Sequence, residues 1–359
     1  MKKLDIYILR KFLGTFFFAI LLIISISVVF DMAEKIDDFL ETSAPLKAIV
    51  FDYYLNFIPY FANLFTPLFV FIAVIFFTSK MAYQTEIIAI LSSGVSFRRL
   101  IVPYLYGATI IGVFSFVLGA YIIPPANRIR LDFENTYIKN KRETGMNNIH
   151  MQIEPGVFVY VSRYSSLREV GDGFSLEKFE DKKLVMKLNA ASAAYDSTTG
   201  GWRLRQFVRR DFLDNNRQVI TQGNQIDTVL KMKPADFKEE RKFYETMNNT
   251  ELDRFIAEQQ LRGVGNVEEY LIEKHRRNAS PFSAFILSII GVSLASRKVR
   301  GGMGLHIGVG IALSFSYILF MTISTTFAVN GSMSPWVAVW IPNFVFSIIA
   351  GILYHRAPK

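Results

Sequence analysis

Residues 301–354 contain no Asp, Glu, Lys or Arg, and this absence of charge constrains the fold more than any other feature of the chain. An α-helix needs about 20 mostly apolar residues to cross the hydrocarbon core of a bilayer. The stretch is therefore long enough for two membrane spans and a tight connection. Hydrophobic residues make up 51% of the chain and are clustered in such runs, which indicates an integral membrane protein.

Four further apolar runs bring the predicted number of membrane spans to six. The fourth is the weakest, because its apolar core is short and begins at Pro281. A long segment of mixed composition separates the third span from the fourth. We therefore predict an α-helical membrane protein with six transmembrane helices and a separate domain inserted between the third and the fourth. The predicted spans are 12–30, 56–77, 100–123, 278–296, 305–329 and 336–354.

The charges of the short loops predict the orientation of the spans. Lys and Arg gather before the first span, after the second, after the fourth and after the last, which all lie on one side of a six-span protein. The loop after the first span is acidic instead. Because short cytoplasmic loops carry an excess of Lys and Arg, we expect both termini in the cytoplasm and the inserted domain outside. No small-residue cleavage pair follows the first span, so we expect it to remain as an anchor.

The inserted segment 124–247 alternates apolar and polar residues in five runs separated by Gly, Asp and Asn, the pattern of antiparallel strands, namely GVFVYVSRY, GFSLEKFE, KLVMKLNAASAAYD, GWRLRQFVRRDFL and RQVITQGNQIDTVL. Several short strands at this spacing predict an all-β domain, which is a sandwich, a jellyroll or a partly open barrel. After Pro234 the pattern becomes helical, and residues 248–277 are predicted to form a helical connection to the fourth span. The transmembrane parts are then 1–123 and 278–359.

One predicted strand carries apolar residues on both faces. In GVFVYVSRY, Val157 and Val159 face one way, and Phe158 and Tyr160 face the other. This pattern indicates either burial between two layers, which is the commoner case, or a slot for an apolar ligand. The residues alone do not decide between the two.

The chain lacks the motifs of a nucleotide-hydrolysing or hydrolytic enzyme. It contains no G-x-x-x-x-G-K-[ST] phosphate loop, no G-x-S-x-G elbow and no H-E-x-x-H pair. Its four histidines are far apart, and its lack of cysteine excludes disulfides and thiolate metal sites. The net charge of +9 is mainly a topology signal, because residues 124–280 hold 26 Lys and Arg against 23 Asp and Glu. We therefore expect neither a metal site nor nucleic-acid binding.

A short amphipathic segment lies between the second and third spans. We predict a helix over residues 80–93 that Gly94 closes, with Glu86 at the edge of its apolar face. The residues of that face are Tyr83, Ile87, Ile90 and Leu91. Helices that lie on lipid usually carry several Lys or Arg on the polar face, which this segment lacks. A groove of another protein therefore fits it better than lipid, while packing on the chain's own spans and a plain surface loop stay open.

Residues 67–105 resemble the hallmark segment of the LptF/LptG lipopolysaccharide-export permeases. A Pro-containing second span is followed by TEII at 85–88, by SSG at 92–94 and then by the third span, in the order of that family. The sequence IIPPANRIR at 122–130 is similar to the family's exit from the third span. Six spans interrupted after the third by a β domain is also the family arrangement, so the resemblance covers the whole chain. Length and overall pattern lean slightly toward the LptG-type member.

The resemblance implies a transport mechanism with several partners. Two such permeases pair, and a separate cytoplasmic ABC ATPase dimer of the LptB type docks on their coupling helices. Lipopolysaccharide enters sideways from the outer leaflet of the inner membrane of a Gram-negative bacterium. It then passes to a chain of β-jellyroll domains that includes a single-span LptC-type protein and a periplasmic LptA-type bridge. ATP and Mg are used by the ATPase, so we expect this chain to bind no cofactor and to be no enzyme, with no catalytic residue.

The resemblance also implies roles for the coupling helix and for the fifth span. Glu86 becomes the carboxylate that meets an Arg of the ATPase, with the apolar face of the helix and Gly94 beside it. The first and fifth spans form the family's lateral gates. The glycines of the fifth span, which have the spacing of close helix packing, gain a role in helix sliding there. These are Gly304, Gly308 and Gly310.

Two further roles concern the lipid itself. Lys35 stands at the outer end of the first span, where a cation can meet lipid phosphate, although acidic residues surround it. The apolar inner face of the β domain becomes an acyl-chain slot. Its candidate residues are Phe158 and Tyr160 or, on the other face, Val157 and Val159.

Two other functions remain open on the sequence alone. A mechanical ABC permease for lipoproteins shares the coupling-helix arrangement, but such permeases usually have four spans. A membrane-embedded enzyme is expected to place several ionisable residues at membrane depth. The last two spans carry none apart from His306.

Overall fold

The computed structural model of the protein describes residues 3–138, 146–165, 168–213, 217–237, 243–262, 267–297 and 302–357. The chain forms two compact units. The first comprises Met1–Ile138, Tyr244–Leu252 and Glu268–Lys359, and the second comprises Lys139–Phe243 and Asp253–Val267.

The described residues form ten α-helices. They are α1 (Lys3–Glu41), α2 (Leu46–Ala48), α3 (Leu55–Tyr83), α4 (Glu86–Ser92), α5 (Phe97–Val117), α6 (Ile123–Phe133), α7 (Asn249–Arg262), α8 (Val267–Ala295), α9 (Gly302–Val329) and α10 (Pro335–His355). Three π-helical stretches connect or extend them, namely Ile49–Tyr54, Leu118–Ile122 and Glu134–Ile138.

Six helical stretches of the described chain are long and apolar enough to cross a membrane, which confirms the predicted spans. They are Lys3–Glu41, Leu46–Tyr83, Phe97–Ile138, Val267–Ala295, Gly304–Val329 and Pro335–His355. Several extend well beyond the apolar runs of the sequence. The 39 residues of α1 are the clearest case, since a helix rising about 1.5 Å per residue over that length exceeds the thickness of a bilayer core.

α3 packs against α1, α5, α6 and α9 in the first unit. Its residues Val70, Phe71 and Val74 are fully buried. Gly291 of α8 lies so close that an added β-carbon would be 2.8 Å from Val74 Cγ1 and 3.2 Å from the ring of Phe71. Small residues at such a crossing let two membrane helices approach closely enough for dispersion contacts to hold them together.

The second unit contains one six-stranded antiparallel sheet. Its strands are β1 (Met146–Glu154), β2 (Val157–Ser165), β3 (Val170–Glu180), β4 (Lys183–Asp196), β5 (Gly201–Leu213) and β6 (Arg217–Thr228). Each strand pairs with the next one along the chain, an arrangement that short hairpin connections can produce. The all-β domain between the third and fourth spans is therefore confirmed. β1 lies outside the predicted strands, because its polar sequence MNNIHMQIE alternates weakly.

The core of the second unit lies against one face of this sheet. The register pairs Val159 with Leu176 and Val161 with Phe174, and Leu176 in turn with Leu188. All five side chains are buried. Because side chains alternate across a strand, the neighbours of these residues point to the opposite face.

The boundaries of the inserted domain differ from those predicted. Residues 123–138 prolong the helical stretch that begins at Phe97, with Pro124 and Pro125 in the first turn of α6, directly after the π-helical Leu118–Ile122. The second compact unit begins only at Lys139. The predicted helical connection 248–277 is divided between α7 and the first part of α8.

Candidate functional site

The segment between the second and third spans forms two helical pieces instead of one helix over 80–93. α3 continues to Tyr83, and α4 begins at Glu86. Thr85 between them has a φ of 63°, a left-handed conformation that interrupts a right-handed helix. The break shifts the helical phase, so Tyr83 does not share the face of α4 that was predicted for it.

The apolar face of α4 is turned into the chain's own core. Ile87 is fully buried, and Ile90 and Leu91 pack partly buried against the same cluster, which α1, α3 and α5 build. Packing on the chain's own spans, one of the partners that the sequence left open, is therefore the arrangement found. The large hydrophobic side chains of this segment that stay exposed are Tyr83, 60% exposed, and Ile88, 45% exposed. Ile88 was missed because it lies outside the predicted stripe.

Gly94 lies two residues after the end of α4 and is exposed. Its φ of 86° lies in the region that residues with a β-carbon rarely adopt, although an added β-carbon would meet no atom within 4 Å. Backbone conformation therefore requires glycine here, as at many helix C-termini.

Glu86 is bound within the chain. Tyr7 Oη donates a hydrogen bond of 2.9 Å to Oε2, and Lys11 Nζ lies 3.6 Å from Oε1. Both partners stand on α1, one helical turn apart. The Glu86 side chain keeps 31% of its surface exposed, so an external cation can reach it in competition with Lys11. The sequence offered no specific signal for this pairing, because a Tyr and a Lys at i, i+4 are common on helices.

Lys35 is also paired, toward the far end of α1. Its Nζ lies 2.8 Å from Asp31 Oδ1 and donates to Tyr53 Oη, and Tyr53 Oη contacts the same carboxylate oxygen at 3.2 Å. The ring of Tyr53 packs against Phe39 and Phe133. The Lys35 side chain is thus 21% exposed and paired with Asp31. An anionic ligand can bind its ammonium group only by displacing that carboxylate.

The four candidate residues of β2 occupy both faces of the sheet, as the alternation predicts. Val159 is buried in the core of the second unit, and Val157 packs partly buried beside it. Phe158 is 42% exposed on the other face, where its ring meets that of Phe179, and Tyr160 is partly exposed on the same side. Of the two faces considered, the one that carries Val157 and Val159 is therefore the inner one.

The three glycines of α9 divide into two groups. An added β-carbon on Gly304 or Gly308 would meet no atom within 4 Å, whereas one on Gly310 would overlap Ile75 Cδ1 of α3. Among the described residues the close helix approach therefore occurs at Gly310 and not at the G-x-x-x-G pair.

A buried ionic cluster at the start of α8 lies outside every prediction from the sequence. Arg277 is 6% exposed and donates to Glu273 Oε1 at 2.9 Å and to the carbonyl oxygens of Met247 and Tyr244. Burial, and then the charge of Glu245, raises the pKa of Tyr244, so its phenol stays protonated at neutral pH. The i, i+4 spacing of Glu273 and Arg277 was the available signal, but it is too common on helices to indicate burial.

In the part of the chain that the structure describes, no group of three or more His, Asp or Glu side chains is placed to hold a metal ion. The clusters found are ion pairs and aromatic contacts. A buried serine and histidine also meet, since Ser79 Oγ lies 3.1 Å from His306 Nδ1.

A family model described as lipopolysaccharide export system permease LptF/LptG matches residues 6–356. The matched range runs from the first turn of α1 to the residue after α10, so it includes all six spans and the inserted sheet. A comparison with curated proteins finds no match to the chain.

Proposed function

The chain belongs to the LptF/LptG family of lipopolysaccharide export permeases, and from this premise we propose that it is the permease subunit of an ABC-type complex. The complex extracts lipopolysaccharide from the outer leaflet of the inner membrane. The observation that carries the proposal is the extent of the family match, which covers both the membrane helices and the β domain. ATP hydrolysis belongs to a partner, since the chain has no phosphate loop.

The proposal includes an orientation and a set of partners. Both termini face the cytoplasm and the β domain faces the periplasm, in agreement with the basic and acidic loops. A cytoplasmic ATPase dimer of the LptB type docks beside α4, and a second permease of the same family pairs with the chain. A single-span LptC-type protein and an LptA-type bridge receive the lipid. The match covers the F-type and the G-type together, so it supports the family and not one type.

The docking surface for the ATPase is smaller than the predicted stripe. Ile87, Ile90 and Leu91 are engaged in the chain's own core. The ATPase is therefore met by Glu86 with the exposed side chains of Tyr83 and Ile88 beside it. An arginine of the ATPase competes with Lys11 for the Glu86 carboxylate.

The lipid follows a route past the outer end of α1 and into the β domain. Lys35 releases the Asp31 carboxylate and binds a lipid phosphate in its place, because an anion with more than one negative charge binds a cation more strongly than a single carboxylate does. The acyl chains enter along the apolar face of the sheet that carries Val157 and Val159. The other face, with Phe158 and Tyr160, stays toward water.

Reconstitution tests the proposed function. The complex is isolated through a tag on this chain, placed in liposomes with lipopolysaccharide, and given ATP and a soluble β-domain acceptor that can be photocrosslinked to the lipid. We expect ATP-dependent transfer. The Glu86→Ala complex should lose most of it, and the exposed Glu258→Ala on α7 is the matched control. Failure of an ATPase to co-purify, or equal transfer by both variants, would contradict the coupling role.

A second pair of variants tests the lipid contact. Lys35→Ala should lower lipid transfer several-fold without changing co-purification of the ATPase. Lys47→Ala, which changes an exposed lysine shortly after the end of α1, should leave lipid transfer unchanged. Unchanged transfer by Lys35→Ala rules out the phosphate contact and leaves the rest of the proposal standing.

A further inference from the structure

The start of α1 is bound to the coupling region by an ion pair whose carboxylate is buried. Asp5, in the first turn of α1, is 2% exposed, and Nη2 of Arg99, whose side chain is 37% exposed, lies 2.7 Å from Asp5 Oδ2. Arg99 stands in the first turn of α5, a few residues after α4 and Gly94. The pair thus joins α1 to the helix that the coupling segment leads into.

The surroundings of this pair are apolar. Ile8, Phe97 and Leu100, neighbours of the two charged residues along α1 and α5, are buried in one hydrophobic cluster. Removal of Arg99 leaves the Asp5 carboxylate buried and uncompensated, whereas the partly exposed Arg99 can be solvated when Asp5 is removed. The buried carboxylate therefore depends on Arg99 as its partner.

A second, independent contact joins the same two regions. Tyr7 and Lys11 hold Glu86 at the first turn of α4, but all three side chains are partly exposed. Solvent reaches both sides of this pair and screens it, so it exchanges partners readily. The coupling segment is thus connected to α1 at the first residue of α4, by a contact that is exposed on both sides, and after α4, by a contact whose carboxylate is buried.

α1 and α5 also pack without a gap farther along. The ring of Phe12 lies so close to Gly107 that an added β-carbon there would overlap it. A helix held by an ion pair with a buried carboxylate and by such a close contact moves together with its neighbour, because packed interiors transmit displacement and do not absorb it.

We propose that the start of α1 belongs to the coupling apparatus, with Asp5 and Arg99 as the positioning pair through which movement of the α4–α5 segment reaches α1. The inference rests on the proposed function, since an ATPase must move that segment. Its consequence is specific to α1, which is the span with the smallest buried share of its apolar window. Displacement of α1 changes what its uncovered face touches in the membrane.

Charge reversal tests the pair. Asp5→Arg and Arg99→Asp are compared with the double variant that carries both changes, in complexes isolated through a tag on this chain. Three quantities are measured, namely the amount of co-purified ATPase, the rate of ATP hydrolysis, and the lipopolysaccharide transferred per ATP hydrolysed. We expect each single variant to keep the ATPase bound but to lower transfer per ATP about tenfold, because each change brings two like charges together and the one at position 5 is buried. The double variant should recover most of it.

A milder variant separates positioning from folding. Asp5→Asn keeps the shape of the side chain and removes the charge, so membrane levels and the thermal unfolding midpoint should stay near those of the wild type while transfer per ATP falls. Parallel loss of ATPase binding and of thermal stability would instead assign the pair a purely structural role and overturn the inference.

Crosslinking provides the opposite perturbation. The chain contains no cysteine, so Asp5→Cys with Arg99→Cys gives one defined pair, which bismaleimides of increasing length can bridge. If the pair is a permanent joint, the bridged protein recovers the transfer that the unbridged double-cysteine variant lost. A bridged protein that hydrolyses ATP but transfers less lipid than the unbridged one overturns the inference. A wild type that transfers no lipid contradicts the proposed function itself, which keeps the two failures distinct.

Discussion

The first and second membrane spans are similar in length and apolarity but differ in how the rest of the chain covers them. The most apolar window of Leu46–Tyr83, which includes α3, has a mean hydropathy of 2.2, and that of α1 reaches 2.7. Half of the Leu46–Tyr83 window is buried, against 17% of the α1 window. Hydropathy therefore identifies a segment that prefers lipid but does not tell whether protein or lipid will surround it.

The fifth span follows the pattern of the first. In the window of Gly304–Val329, 22% of the residues are buried. In a bilayer such an uncovered apolar face costs nothing, because lipid tails are as apolar as the side chains, and the helix is held by close packing and a few polar contacts. Interior substitutions in α3 and surface substitutions in α1 or α9 should then have very different effects.

The largest difference is expected between two phenylalanines. Phe71 of α3 is fully buried, and Phe18 of α1 is 70% exposed. Phe71→Ala should lower the free energy of unfolding by about 3–5 kcal/mol, because it leaves a cavity in a packed core. Phe18→Ala should change it little. Unfolding of the purified chain in detergent measures both, and equal losses would contradict the comparison.

A smaller difference is expected between two glycines of α9. Gly310→Leu forces a side chain into the space that Ile75 occupies and should cost about 1–3 kcal/mol, the usual cost of overpacking. Gly308→Leu points a side chain into open space and should leave the thermal unfolding midpoint unchanged in the isolated chain. In the complete complex, a loss caused by Gly308→Leu would sharpen the comparison, since it would reveal a partner on that face.

The smallest effect is expected from a polar contact that holds α9. Tyr317 Oη donates to Asn343 Oδ1 of α10 at 2.8 Å, and Asn343 Nδ2 donates to the carbonyl oxygen of Ala279 in α8. Tyr317→Phe should cost about 0.6 kcal/mol, the typical value of such bonds between membrane helices. Ser316→Ala, whose hydroxyl bonds only within its own helix at Ala312, is the control. A loss of several kcal/mol would mean that α9 depends on this bond more than on packing.

Local patterns predicted much of the fold. Five of the six strands lie where apolar and polar residues alternate between turn residues, and β1 was missed because its sequence is polar. The six spans were predictable since each must satisfy its own backbone hydrogen bonds in lipid. The candidate site was less predictable. Glu86 was predicted at the edge of the apolar face of a helix over 80–93, whereas it lies at the start of α4, and its partners on α1 are about 80 residues away, a distance that no local pattern covers.

The sequence by itself determined the class of the protein, the number of spans and the place of the β domain, because hydrophobic burial in lipid and strand alternation are local properties of the chain. Only the tertiary structure decided that Ile87 packs inward, that Lys35 is held by Asp31 and Tyr53, and that Asp5 meets Arg99. Each of these depends on which distant side chain comes within a few ångströms. A left-handed residue such as Thr85 can also rotate a whole helical face without leaving a mark in the hydrophobic pattern.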